Sequence, residues 1–282
     1  MMKFELGCHL VYSIYEPSTF VFNIGVVHNQ YQQVEQEKLE IYPRLEIEEY
    51  NNPFNGNRYL RLNAPKCQME ISYQAIVELH HFLQDPHEVQ EVTPANLPLE
   101  ILPLLLPSRY CQSDQLINLA FSEFGHLTPG YSRVTAICNW ICQKVIYLSG
   151  SSDHHTSAYD TATERVGVCR DFAHLAIAFC RALNIPARFV NAYAYGLNPP
   201  DFHACFEAYL GDRWYLFDPS RLVPQTSIIR IGTGRDAADV SFATIFGMVE
   251  MNEMRLSMQP LPDPTTGKVD QPFFTTEAIA IS

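Results

Sequence analysis

The 282-residue sequence has no Asn-X-Ser/Thr glycosylation sequon, and its eight cysteines are too sparse for a disulfide scaffold. A reducing, cytoplasmic location is therefore expected. Long apolar runs are also missing. The longest stretch, Leu97 to Leu106, is broken by two prolines and a glutamate and falls far short of the roughly 20 residues that span a bilayer. Positive charge is scarce, with 19 Lys+Arg against 31 Asp+Glu and a net charge of −12. Such a surface repels phosphate backbones and anionic headgroups, so neither nucleic acid nor membrane is an expected partner. Apolar residues are plentiful, and 47% hydrophobic at 18% charged is enough to bury a sizeable core. The length suggests about two domains.

The N-terminal segment alternates Phe4, Leu6, Cys8, Leu10, Tyr12 and Ile14 with polar or small neighbours, the pattern of a strand and not of a signal peptide. Period-two runs continue through Phe20–Ile24, Tyr59–Leu62 and Met69–Tyr73, interrupted by turn clusters such as Asn51 to Asn57. An antiparallel β-sandwich-like domain over 1–105 is expected. Prolines 94, 98, 103 and 107 mark a boundary, because they suit neither a regular helix nor an inner strand.

Beyond them helices dominate. Ser113 or Asp114 is placed to cap a helix ending at Gly125, and Thr128-Pro129 to open another running to about Tyr147. A polar loop is expected over Gly150–Thr163. Phe172, Leu175, Ala176, Phe179, Cys180 and Leu183 then mark an amphipathic helix ended by Asn184 and Pro186. Strands are expected at Ala187–Tyr195, His203–Leu210 and Arg213–Asp218, the last two joined by a Gly211-Asp212 turn. The catalytic core is thus placed at 106–250, with a short helix near Ala237–Phe246. Residues 251–282 are read as C-terminal strands and tail, including a strand at Met254–Met258.

One constellation carries chemistry. Cys169 opens the amphipathic helix, where free backbone N–H groups and the helix dipole favour a thiolate. A two-residue turn at 211–212 pairs His203 with Ser220 and Asp218 with Cys205, so His203 and Asp218 share a face as diagonal neighbours. A carboxylate there can orient the imidazole, whose other nitrogen can take the thiol proton. Cys169 N–H is the natural oxyanion donor, with Trp140 or Tyr147 as side-chain partners.

The segments Gly167-Val168-Cys169-Arg170-Asp171-Phe172-Ala173-His174-Leu175, Ala182 to Arg188, Asp201-Phe202-His203-Ala204 and Trp214 to Pro219 resemble the bacterial transglutaminase-like superfamily over roughly residues 108–247. The leading β region is similar to the N-terminal domain that accompanies this core. The resemblance implies an α+β, papain-like transglutaminase core, in which a helix carrying Cys169 packs on an antiparallel sheet carrying His203 and Asp218. Those three residues become nucleophile, base and orienting carboxylate, acting on a peptide or protein amide with no metal and no cofactor. Cys205 departs from the aromatic residue usual two positions after the histidine. By parity it faces the site, where it could widen the channel or form a disulfide with Cys169, although a small residue compensated by its neighbours is the simpler account.

Hydrolysis of an amide through a thioester is the leading expectation. Acyl transfer to an amine by the same triad, or a non-catalytic binding module on the same fold, are the alternatives. His174 lies about 140° around the helix from Cys169 and reads as structural. Asp171 suits the helix dipole. His154-His155 with Asp153 lack metal-ligand spacing, and Cys138 with Cys142 read as core packing.

Overall fold

The computed structural model describes residues 2–262 and 267–282. In chain order its elements are β1 (Met2–Ile14), β2 (Ser18–Phe22), β3 (Gln32–Tyr42), β4 (Ile47–Asn51), β5 (Arg58–Ala64), β6 (Cys67–Leu79), β7 (Phe82–Gln84), α1 (Ile117–Phe124), α2 (Tyr131–Lys144), β8 (Ile146–Tyr147), α3 (Ala158–Glu164), β9 (Val166–Gly167), α4 (Cys169–Ala182), β10 (Ala187–Ala194), β11 (His203–Leu210), β12 (Arg213–Phe217), β13 (Ile228–Gly234), β14 (Ala243–Phe246), β15 (Val249–Leu261) and β16 (Ala278–Ala280).

Period-two patterning folds the N-terminal part into two antiparallel sheets, ordered β15-β1-β6-β3 and β14-β2-β5-β4. Their inner faces meet through Phe4, Leu6, Leu10 and Tyr12 on one side and Phe20, Phe22 and Leu62 on the other, with Tyr12 edge-on to Phe20 at 5.3 Å between ring centres. The second half builds an antiparallel sheet, β12-β11-β10-β13, against which α4 packs. The hairpin register follows the expected pairing, with Phe206 opposite Phe217 and Leu210 opposite Arg213. The halves are tied by buried polar contacts. Gln32 Nε2 donates to the Val27 and Arg230 carbonyls, Asn57 brackets Thr233, and Tyr193 Oη donates to Ile24 O at 2.9 Å.

Several elements differ from the sequence reading, each for a local reason. The first helix begins at Ile117 with Leu116 at its cap position, because burial of Cys111 and Leu116 sets its start and leaves Ser113 out of the capping role. The second ends at Lys144, since β-branched Val145 and Ile146 go extended and β8 pairs in parallel with β9. The supposed loop 150–163 contains the start of α3, opened by a capping box in which Ser157 N–H donates to Asp160 Oδ2 at 2.9 Å. No helix forms over 237–246. Thr244, Ile245 and Phe246 instead extend β2's sheet as β14. The strand near Met254 is the 13-residue β15, which runs along β1 from Lys3↔Leu261 to Ile14↔Val249. The α4 helix is buried on every side from Asp171 to Ala182, so its few polar residues serve as internal anchors and not as a solvent face. It ends in a Schellman motif, Ile185 N to Cys180 O and Asn184 N to Arg181 O, with Asn184 left-handed at φ 61°.

Candidate active site

Cys169 is the first residue of α4, partly exposed, with Val168 at the cap. The cap is held by Asp171, whose Oδ2 accepts the Val168 N–H at 2.9 Å. Asp171 is thus a buried clamp on the turn that presents the thiol, a more specific role than dipole compensation. β9 sits immediately before this turn, and its pairing with β8 lays Tyr147 beside it, reinforced by Leu148 N–H to Gly167 O at 3.0 Å. Burial, with the Cys169 charge adding to it, pushes the Tyr147 hydroxyl pKa up to about 12. Trp140 lies elsewhere: its Nε1 donates to Glu123 Oε2 at 2.9 Å and its ring packs on Phe124 and Phe179.

His203 opens β11 and Asp218 directly follows β12, so the hairpin brings them together at the open end of the sheet. His203 Nε2 donates to Asp218 Oδ2 at 2.8 Å, with both side chains buried. The other carboxylate oxygen accepts the Ser220 N–H at 2.9 Å and the Ser220 hydroxyl at 2.6 Å. Ser220 is an anchor that the sequence reading missed, although a serine two residues after an aspartate is a recognised turn signal. Burial opposes a charged imidazole, but the charge and hydrogen bond of Asp218, with Cys169 adding to them, raise the His203 pKa to about 10. Burial likewise opposes the Asp218 carboxylate, and the His203 charge and the Ser220 donors outweigh it to hold that pKa down. Nδ1 of His203 is buried and makes no hydrogen bond of its own, and the ring lines the same cleft as Cys169.

A cleft of about 450 Å³ opens over these groups, lined by Cys169, His203, Asn191, Asp201, Phe202 and Phe242 among others. Cys205 shares the His203–Asp218 side of the strand, as parity requires, but that side is packed: Cys205 is fully buried with Val190, Ala192 and Leu216 and does not line the cleft. His174 is a buried structural residue. Its Nε2 accepts the Ala237 N–H at 3.1 Å, its ring stacks on Tyr110, and burial drives its pKa well down. Asp153 caps its own loop through the His155 and Thr156 N–H groups. No group of three or more His, Cys, Asp or Glu among the described residues is placed to hold a metal.

Residues 119–219 match the transglutaminase-like superfamily core, and residues 2–99 match the bacterial transglutaminase N-terminal domain. A crystal structure of a putative cysteine protease from Cytophaga hutchinsonii superposes with a TM-score of 0.93 at 44% identity, covering 99% of this chain and 97% of that one. An uncharacterised protein of Mycobacterium leprae is 33% identical over 194 residues, 64% of this chain and 68% of its own. A shorter match, 36% identical over 110 residues, links it to an uncharacterised protein of Mycobacterium tuberculosis, of which it covers 35%. The chain belongs to the transglutaminase-like superfamily and carries the bacterial N-terminal domain of that family.

Proposed function

We propose that the protein is a thiol-dependent hydrolase that cleaves an amide or peptide bond, with Cys169 as nucleophile, His203 as acid and base, and Asp218 as the carboxylate that orients and charges the ring. The observation that carries this reading is the buried His203 ring, with Nε2 committed to Asp218 and Nδ1 free of any other partner, in a cleft that it lines together with Cys169. Nδ1 takes the thiol proton and the sulfur attacks the substrate carbonyl, the C=O π pair moving to oxygen. Collapse of that adduct breaks the C–N bond, and the proton on Nδ1 goes to the departing amine. Water, deprotonated by the same nitrogen, attacks the thioester, releasing a carboxylic acid and the free thiol. Cys169 N–H at the helix start is the main-chain donor for the oxyanion.

The substrate we infer is a peptide or protein amide. With a net charge of −12, nucleic acid and anionic lipid surfaces are poor partners. No helix among the described residues is long and apolar enough to cross a membrane. We place the protein in the reducing cytoplasm, where its eight free thiols persist.

The test is product analysis of a peptide library incubated with the intact protein, with and without a primary amine. Chain cleavage or conversion of carboxamide to carboxylate, lost in Cys169→Ala, supports hydrolysis. Amine incorporation as the main product assigns acyl transfer instead, and no Cys169-dependent product in either condition overturns the enzyme reading.

A further inference from the structure

We propose that the cleft selects amide substrates bearing a cationic group near the scissile carbonyl, and that Asp201 binds that cation. This rests on the hydrolase reading and names what the same site takes.

The argument begins with the charges on the cleft wall. Arg170 is already occupied, its guanidinium reaching Asp171 Oδ1 at 3.4 Å and donating to the Asp153 carbonyl. His203 is held by Asp218. His154 lies ring to ring with His155. Asp201 differs from all of these. Its Oδ1 accepts the Phe202 N–H at 2.7 Å, and no cation pairs with it among the described residues. It stands two positions before His203, and its charge reaches both the imidazole and Tyr147. Pro199 and Pro200 fix φ just ahead of it, and the bond from Phe202 N–H holds one carboxylate oxygen against the start of β11. Asp201 is exposed, the part of its carboxyl that is desolvated has its pKa raised against the opposing His203 charge, and an incoming ammonium or guanidinium adds the direct ion pair that it lacks.

Asn191 supplies an independent observation. It lines the same cleft, is only 6% exposed, and its Nδ2 has no hydrogen-bond partner. It sits where the β10–β13 register shifts, between Asn191 and Ala192, and bulges of this kind re-aim side chains beside sites. A buried amide donor without an acceptor is costly, and a substrate carbonyl supplies the acceptor. The cleft therefore presents one unmet carboxylate and one unmet amide donor. A peptide offering a main-chain carbonyl and a Lys, an Arg or an N-terminal ammonium satisfies both.

The test uses three methanethiosulfonates on the intact protein, carrying aminoethyl, methyl and sulfonatoethyl groups. Each transfers its thioalkyl group to a thiolate and releases methanesulfinate. Rates at Cys169 are read by mass spectrometry and divided by rates with free 2-mercaptoethanol. The expected result is a normalised preference for aminoethyl over sulfonatoethyl that falls about tenfold in Asp201→Asn, the change expected from losing one nearby charge in a partly desolvated cleft. Asp201→Glu retains the preference, which separates loss of charge from loss of fold. Fast modification of Cys169 with a ratio unchanged in Asp201→Asn overturns this inference and leaves the hydrolase reading intact. If Cys169 reacts no faster than half-buried Cys67 with all three reagents, the hydrolase reading fails and this inference falls with it.

Discussion

At the residue scale, the His203–Asp218 pair fixes how the site responds to pH. His203 has its pKa raised from 6.5 to about 10 in the folded protein, so its contribution to stability is complete below 6.5 and is lost as pH rises through about 10. Asp218, with its pKa lowered from 3.8, contributes above that value and loses the contribution as pH falls through its folded pKa. The pair therefore stabilises most between about 3.8 and 6.5. We expect the melting temperature of the native protein to fall more steeply above pH 6.5 than that of His203→Gln, as read by thermal scans up to pH 10. Parallel slopes would contradict a raised pKa. Removing the partner, Asp218→Ala, leaves the ring buried without its carboxylate, at a cost of about 3 kcal/mol in denaturant midpoint experiments. Asp218→Asn, which keeps the shape, should lower turnover on the order of 10³-fold or more by presenting the wrong ring tautomer. A loss below tenfold would remove Asp218 from the mechanism.

These residues were legible in the sequence because strand parity is a strict constraint. Once Gly211-Asp212 is the turn, His203 and Asp218 must lie on one side, and the observed register agrees. Parity says nothing of what covers that side, so it left open whether Cys205 widens the channel or packs as a small residue among its neighbours, and the burial of Cys205 agrees with the second, simpler account. Asn191 gave no signal. Its place beside the cleft depends on a bulge against β13, a strand about 40 residues downstream, and local pattern carries no information about such a pairing.

At the scale of elements, the turn into α4 is the part that aims the thiol. A Cβ at position 167 would meet Asp171 Cβ at 2.8 Å and Oδ2 at 3.1 Å, so glycine is needed there to let the capping carboxylate fold back. Gly167→Ala is expected to cost about 1–3 kcal/mol by overpacking and to slow alkylation of Cys169 as the cap is displaced. Asp171→Ala, which removes the cap without the clash, should cost about 1 kcal/mol and slow alkylation in the same direction. Faster alkylation in either variant would mean that the turn restrains the thiol instead of presenting it. The helix itself was readable from its 3.6-residue period and its Asn184–Pro186 stop. Its complete burial was not, because the polar residues that suggested a solvent face are satisfied internally. Arg181 shows how: its guanidinium donates to the Ala187, Leu106 and Arg235 carbonyls and so pins the linker and the following strand to α4. The segment 237–246 was misread because its apolar spacing fits a helix as well as a strand, and only the free edge of β2 decides between them.

At the scale of the whole molecule, the N-terminal sandwich is completed from the far end of the chain. β14 and β15 are outer strands of its two sheets, and both lie beyond residue 240. A fragment of residues 1–105 therefore lacks one strand of each sheet and exposes the β1 and β2 edges. We expect that fragment to be unfolded or aggregated by circular dichroism and sedimentation, whereas the full chain unfolds in one cooperative step. A monomeric, folded 1–105 fragment would show that the sandwich does not need its C-terminal strands. Composition and period two announced an antiparallel β region. Membership of distant strands in it is a long-range pairing that no local window reports.

The most direct test of the catalytic account is the pH dependence of Cys169 alkylation by iodoacetamide in the native protein and in His203→Ala, mapped by mass spectrometry. The account predicts that Cys169 reacts faster than Cys8 and Cys67 below pH 7 and that His203→Ala abolishes the difference. Equal rates at the three cysteines in the native protein, or an advantage at Cys169 that survives in His203→Ala, would contradict it.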